Sequence, residues 1–430
     1  MTFLQSDRDL SRNSYYAATA PRSQRHAPLS GAIRCDVAIV GGGLAGLSAA
    51  IDLRERGLDV VVLEAREIGW GASGRNGGQA IHGLACGQDI IEAQLGLADA
   101  RRVWDMSIEA LDLLRERIAR HAIACDWRDG FLGVATSEKK ARQLADWADE
   151  LEAKYHYPLT RIAAADMRRW VASDRYRSGV HDPRSGHLHP LKYVRGLARA
   201  AAEAGVRLHE DTEVTSLRQD GGVTLTTAGG QVRSRQALLA GNVYLRGVAP
   251  ALETRIMPVG TWIVCSEAVD RALADTLIPT RSCVCDTDFV LDYYRTTDDD
   301  RMLFGGGVSY STRPPTSLRE GMRRRMVATF PQLASAKIEF AWGGFVDITM
   351  NRAPDFGRLG ADVYYLQGFS GHGLALTGLA GRLVAEAMTA DASRFDLFAR
   401  LKHLSFPGGR ALRTPALVLG MAWYRLKDLL

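Results

Sequence analysis

Three glycines at Gly41, Gly43 and Gly46 follow the apolar run Val37-Ala38-Ile39-Val40, and a second run, Val60-Val61-Val62-Leu63, ends on Glu64. Residues of these types at this spacing do phosphate chemistry. Gly41 permits a tight turn, Gly43 lets backbone amides approach a pyrophosphate, and Gly46 allows the following helix to pack closely on a sheet. Leu44 and Ala45 open that helix, whose unpaired N–H groups and positive dipole end favour an anion. Glu64 stands 18 residues beyond Gly46, where a carboxylate accepts hydrogen bonds from a ribose diol, with Ala65 and Arg66 beside it. Strand, glycines, helix, strand and acid in this order make a dinucleotide-binding unit.

The next stretch, Gly69-Trp70-Gly71-Ala72-Ser73-Gly74-Arg75-Asn76-Gly77-Gly78-Gln79, decides which dinucleotide. Five of the ten residues from 69 to 78 are glycine, so no helix is expected there. Residues 69–74 match the same glycine pattern literally, but they neither follow a strand nor open a helix. A loop of Gly71, Ala72, Ser73, Arg75, Asn76, Gly77, Gly78 and Gln79 is suited to wrapping the diphosphate and flavin ring of an FAD docked on the first unit. The alternative is a merely flexible surface loop.

Near the other end of the chain, Val363-Tyr364-Tyr365-Leu366-Gln367 reads as a strand. It runs through Gly368-Phe369-Ser370-Gly371-His372-Gly373 into a helix from Leu374 to Met388. A second positive helix end at Gly371, His372, Gly373 and Leu374 suits the flavin pyrimidine, where negative charge develops on reduction. His372 itself reads as a structural residue of the turn and cofactor contact. Short alternating segments between 206 and 240 supply further strands, with backbone near Val214 available to an adenine edge and a sharp strand end at Gly241-Asn242.

A chain of 430 residues is too long for one compact core. The expected fold class is α/β (α+β overall): a Rossmann-type FAD-binding domain plus a mixed-sheet substrate domain, both built from discontinuous segments. The boundaries read as an N-terminal extension (1–34), an FAD domain (35–86, 160–247 and 347–390), a substrate domain (87–159 and 248–346) and a C-terminal tail (391–430). Asp89 to His121 has helical apolar spacing and is expected to leave the nucleotide domain. Ser137 caps a helix reaching Tyr155, and Pro190 opens another that ends near Gly205. His187 and His189, in the turn before it, read as turn and capping residues.

Composition excludes other classes. A net charge of +5 without a basic run argues against nucleic-acid binding. Six cysteines show neither metal spacing nor a disulfide framework, so no metal is expected. No signal pattern and no apolar run of about 20 residues stand out, which makes a cytoplasmic location the default expectation. The tail around Pro415–Lys427 reads as packing on the protein's own body, with peripheral membrane or redox-partner contact as the alternative.

The chain resembles the glycine-oxidase and D-amino-acid-oxidase type of FAD-dependent oxidoreductase and, within it, the gamma-glutamylputrescine oxidoreductases. The resemblance rests on Ser14–Ala20, Gly41–Gly46, Gly69–Gln79, Ala240-Gly241-Asn242, Trp342-Gly343-Gly344, Asn351-Arg352-Ala353-Pro354 and Gly368–Gly373. It implies non-covalent FAD and a small-molecule amine, gamma-glutamylputrescine or a related polyamine derivative or amino acid. Hydride would pass from the carbon bearing nitrogen to flavin N5, and the imine would hydrolyse to an aldehyde or keto acid. Electrons would go to oxygen, a quinone or a protein acceptor. Because the cofactor does the hard step, no His–Asp or Ser–His constellation is expected. A substrate carboxylate calls for an arginine, and Arg295 and Arg352 are the candidates, with Tyr294 shaping the pocket. Two alternatives remain open: a flavoprotein subunit of an amine dehydrogenase, and a flavin-dependent RNA-modification factor.

Overall fold

The computed structural model describes residues 13–245, 247–288, 290–309 and 317–407, which build two sheets. The first has eight strands: β1 (Gly31–Val40), β2 (Val60–Leu63), β7 (Arg207–His209), β8 (Val214–Gln219), β9 (Val223–Thr227), β10 (Gly230–Leu239), β16 (Asp355–Leu359) and β17 (Val363–Gln367). Their order is β16-β17-β10-β1-β2-β7, and the five from β17 to β7 run parallel.

Parallel strands covered on both faces read as continuous apolar runs. Val37, Ile39, Val60, Val62 and Leu238 face the cluster that holds the helices Leu44–Glu55 and Gly373–Thr389. Ala38, Val40, Val61, Leu63 and Leu239 face the opposite cluster, against Val214 and Leu225 of the β8–β9 hairpin. Close approach sets the helix positions: a Cβ on Gly46 would sit 2.0 Å from the Gly41 carbonyl oxygen, and one on Gly381 2.5 Å from the Ala49 nitrogen.

The second sheet is mixed and has nine strands: β3 (Gln79–Ala80), β4 (Arg128–Ala135), β5 (Thr160–Ile162), β6 (Ser178–His187), β11 (Ile256–Ser266), β12 (Cys283–Asp286), β13 (Tyr293–Thr296), β14 (Met302–Ser309) and β15 (Ile338–Thr349). Only β4 and β12 pair in parallel within it. Two elements depart from the sequence reading. Residues 160–187, expected in the FAD domain, lie here because β6 pairs antiparallel with β4 and with β5. The helical stretch from 88 to 120 breaks at Gly96 (φ +80°), and its long part, Leu97–Arg120, stays on the nucleotide half. Its Arg117 is buried in an ion pair with Asp52 of the helix Leu44–Glu55, and its apolar stripe joins the first core.

A short helix, Tyr15–Thr19, capped by Ser14, joins the two sheets. Tyr16 packs between Trp342 of β15 and His189, with ring centroids 5.1 and 4.7 Å away, and its hydroxyl meets Arg295 of β13. Among the described residues no helix is long and apolar enough to cross a membrane. The tail segment considered for membrane contact, 415–427, lies outside the described residues.

His187 and His189 act as the turn and the cap. His189 Nδ1 accepts the Lys192 amide at 3.2 Å to cap the helix Pro190–Glu203, and His187 Nε2 bonds the Arg281 carbonyl at 2.8 Å. Burial pushes both imidazoles down from their usual range to about 3. A depressed folded-state pKa contributes stability that is present above the unfolded value and lost as pH falls toward the folded one. Melting at equal flavin content is therefore expected to drop from pH 7 to pH 5, by roughly 1–2 kcal/mol per histidine. His189→Asn, which can still cap, should flatten that slope; an unchanged slope in thermal denaturation counts against buried neutral histidines.

Candidate active site

β17, β10, β1 and β2 are parallel neighbours, so their carboxyl ends form one edge at Gln367, Leu239, Val40 and Leu63. Strands lie about 4.8 Å apart, so the edge from β2 to β17 spans roughly 14 Å. A cavity of about 390 Å³ follows this edge, and each strand end contributes to its wall: Gly41, Glu64, the run Ala240-Gly241-Asn242, and Phe369 with Ser370. Open α/β sheets bind ligands at such an edge.

At one end stands the phosphate turn. The helix Leu44–Glu55 starts at Gly43 without a side-chain cap of its own, and its first-turn amides have no intrahelical acceptor. Ser73 Oγ accepts the Leu44 amide at 2.9 Å and holds the glycine loop against that turn. Glu64 accepts Gly42 N at 2.7 Å and Arg66 N at 2.9 Å, and burial pushes its carboxyl up to about 7.

The glycine loop is more ordered than its composition predicts. A 3₁₀ turn, Ala72–Gly74, opens it, and Asn76 closes it by bonding the Ala72 and Ser73 carbonyls and the Gly78 amide. Trp342 Nε1 donates to the Arg75 carbonyl at 3.0 Å. At the other end, His372 precedes the helix Gly373–Thr389, and its Nε2 lies 3.1 and 2.9 Å from the carbonyls of Ile81 and His82. Burial pushes His372 down to about 4, so the ring is neutral and Nε2–H is the donor. The second glycine turn is thus bonded to residues just past the first glycine loop, some 290 positions earlier in the chain.

β11 and β15 of the second sheet form the opposite wall through Val259, Thr261, Phe345 and Ile348. Tyr293 enters from β13, in space that only glycines leave open: a Cβ on Gly77 would sit 2.6 Å and one on Gly305 2.1 Å from its ring.

Of the residues anticipated from sequence, Gly41, Gly43, Leu44, Ala45, Glu64, Ala65, Gly71, Ala72, Ser73, Arg75, Asn76, Gly77, Gln79, Val214, Gly241, Asn242, Gly371, His372, Gly373 and Leu374 line the cavity, as does Arg352. Gly46 and Gly78 do not: Gly46 serves helix packing, and Gly78 (φ +79°) passes under the Leu188 carbonyl, 2.2 Å from where a Cβ would be. Arg66 also lies off the wall.

Two substrate candidates are corrected. Arg295 is buried with its guanidinium committed to Gly77 O, Leu188 O and the Tyr16 hydroxyl, so it is an internal brace. Tyr294 points the other way from Tyr293 on the same strand, stacks on Phe304 and bonds the Tyr176 hydroxyl at 2.8 Å. Period-2 alternation was the signal that separates this pair. Asp347, Tyr244 and the β11 and β15 positions also went unanticipated, since nothing local distinguishes them from sheet core. His82 lies off the cavity, with its Nδ1 2.7 Å from an Asp182 carboxylate oxygen.

Turn, ribose acid, wrapping loop and second helix end on one cavity fit FAD, and fold and site together define a flavin-binding oxidoreductase. The profile of the family described as FAD dependent oxidoreductase matches residues 36–387, and the chain belongs to that family. It is 44% identical over 417 residues to the gamma-glutamylputrescine oxidoreductase of Escherichia coli (strain K12), covering 97% of this chain and 98% of the relative. It is 25% identical to a glycine oxidase of Geobacillus kaustophilus over 87% of this chain and 99% of that one. The crystal structure of glycine oxidase from that organism superposes with a TM-score of 0.72 at 22% identity, covering 86% of this chain and all of the other. An L-amino acid deaminase from Proteus vulgaris superposes with 0.71 at 18% identity, over 87% and 100%.

A Cβ on Gly43 would lie 2.7 Å from Ser73 Oγ. Gly43→Val should displace Ser73, break its bond to the Leu44 amide and block the phosphate turn. The expected outcome is a folded protein purified without flavin; full flavin content in absorbance would refute the assignment of this turn.

Proposed function

We propose that this chain is an amine oxidoreductase with non-covalent FAD, acting on gamma-glutamylputrescine or a close polyamine derivative. The observation that carries this reading is the 44% identity, across nearly the full length of both chains, to a relative named for that substrate. Structural support comes from the cavity, where an apolar wall from β11 and β15 faces the end of β17 and one exposed arginine stands at its boundary.

The residues divide the work. The turn at Gly43–Ala45, which lines the cavity, would face the pyrophosphate, and Glu64 the ribose diol. Asn76 and Gln79 would hold the loop over the ring system, and the turn at Gly371–Leu374 would direct a positive helix end at its pyrimidine edge. When bound, the flavin supplies a two-electron acceptor for the hydride on the carbon bearing nitrogen. The wall of Val259, Phe345 and Ile348 excludes water and favours the neutral amine that such a loss requires. Arg352, held at φ +60° in the turn after β15, would take the glutamyl carboxylate in a bidentate bond.

Anaerobic mixing of the holoprotein with a panel of amines tests this. Gamma-glutamylputrescine should bleach the flavin fastest; bleaching by no amine, or by glycine alone, refutes the proposal. Arg352→Gln should raise KM for gamma-glutamylputrescine by roughly 10- to 100-fold, the value of a charge-assisted bidentate pair. Putrescine, which lacks the carboxylate, should be little affected. Equal losses for both would show that Arg352 does not read that group.

A further inference from the structure

Asp347 is a carboxylate buried in the cavity wall, where backbone amides after β17 and the Asn242 side chain hold it. It lies near the end of β15, is 2% exposed, and accepts the Gly368 amide on Oδ2 at 2.5 Å. Its own carbonyl accepts the Ser370 amide at 3.1 Å. These bonds place the carboxylate at the carboxyl end of β17, at the opposite end of the strand edge from Glu64. In the proposed reading that is the reacting end, and Phe345 and Ile348 of the same strand line the same cavity.

An amine substrate reaches the protein as an ammonium ion, and its nitrogen must lose a proton before the adjacent carbon gives up hydride. We propose, resting on the amine-oxidising reading, that Asp347 receives the substrate's ammonium group and is the base that takes this proton. The N–H bond breaks, an O–H bond forms on the carboxylate, and the nitrogen keeps the electron pair. The proton returns to solvent when product leaves.

Burial makes this direction of transfer reasonable. A low-dielectric site disfavours both the carboxylate and the ammonium, so their ion pair relaxes toward neutral acid and neutral amine. Burial pushes Asp347 up to about 6, only partly opposed by the backbones of Gly368, Asp347 and Phe369 and by the Asn242 side chain. All four opposing groups are uncharged.

The charged and acid–base groups sharing the cavity are His372, Arg352, Arg75, Tyr293, Tyr244, Cys285, Glu64 and Glu213. His372, pushed down to about 4, and Tyr293, pushed well up by burial, keep one charge state through neutral pH. Glu64, pushed up to about 7 by burial, titrates in the same range but stands at the β2 end of the strand edge, roughly 14 Å from the end of β17, so the Asp347 variants and not the parent profile alone assign the step.

Asp347→Asn keeps an oxygen to accept the Gly368 amide and removes the base. Flavin content should stay that of the parent. At pH 7 the anaerobic reduction rate with gamma-glutamylputrescine should fall at least 30-fold. Most of the loss should be recovered near pH 10, where solution itself supplies free amine, whereas the parent should level off by about pH 8. A parent-like profile, or a loss equal at every pH, overturns the proposal. Should the Asn variant lose flavin, Asp347→Glu carries the test. It should keep the parent's levelling-off, and a rate that rises only with free amine would overturn the assignment. If the parent is bleached by no amine, the underlying reading fails, and that result is distinct from any of these.

Discussion

A pyrophosphate can be held by backbone amides only where no side chain stands between them and it, and everything else in this structure follows from meeting that condition at the end of β1. Gly41 turns at φ +113° with the Ala240 carbonyl 2.5 Å from its would-be Cβ, and Gly46 brings the helix down onto Gly41. Parallel pairing then places the ends of β2, β10 and β17 in line with that turn. The rest of the cavity wall along this edge is a consequence of strand order.

The second sheet completes the site by a different device. Its wall is pressed onto the nucleotide half through Tyr16, Arg295 and Trp342, none of which reaches the cavity. A buried guanidinium is tolerated there because two carbonyls and a hydroxyl satisfy it. One of the two arginines put forward from sequence as a carboxylate clamp therefore serves to hold two bodies together.

Local signals revealed the nucleotide unit, because turn, helix start and strand-end acid each need a particular residue type within a few positions. The helix Glu138–Tyr155, with its Ser137 cap, and the strand Val363–Gln367 were equally legible. What escaped depended on distant pairing. Residues 160–187 carry no mark of the sheet they join, since only the pairing of β6 with β4 and β3 decides it. Arg295 and Tyr294 look like ligand residues until the register of β13 assigns their sides, and Asp347 gains its meaning only when Gly368 arrives from another sheet. A charge such as Arg117 pointing into the core was likewise readable only with Asp52 in view.

The hydrogen bonds from His372 to the carbonyls of Ile81 and His82 tie a turn near residue 372 to the loop that begins at residue 69. In order of synthesis, the phosphate turn emerges some 320 residues before β17 and the helix after it. Until those residues follow, the nascent chain carries a half-built cradle. Flavin can be enclosed only once the residues from 363 to 389 have left the ribosome, so a chain cut before β17 keeps the nucleotide fingerprint and lacks the second half of the site.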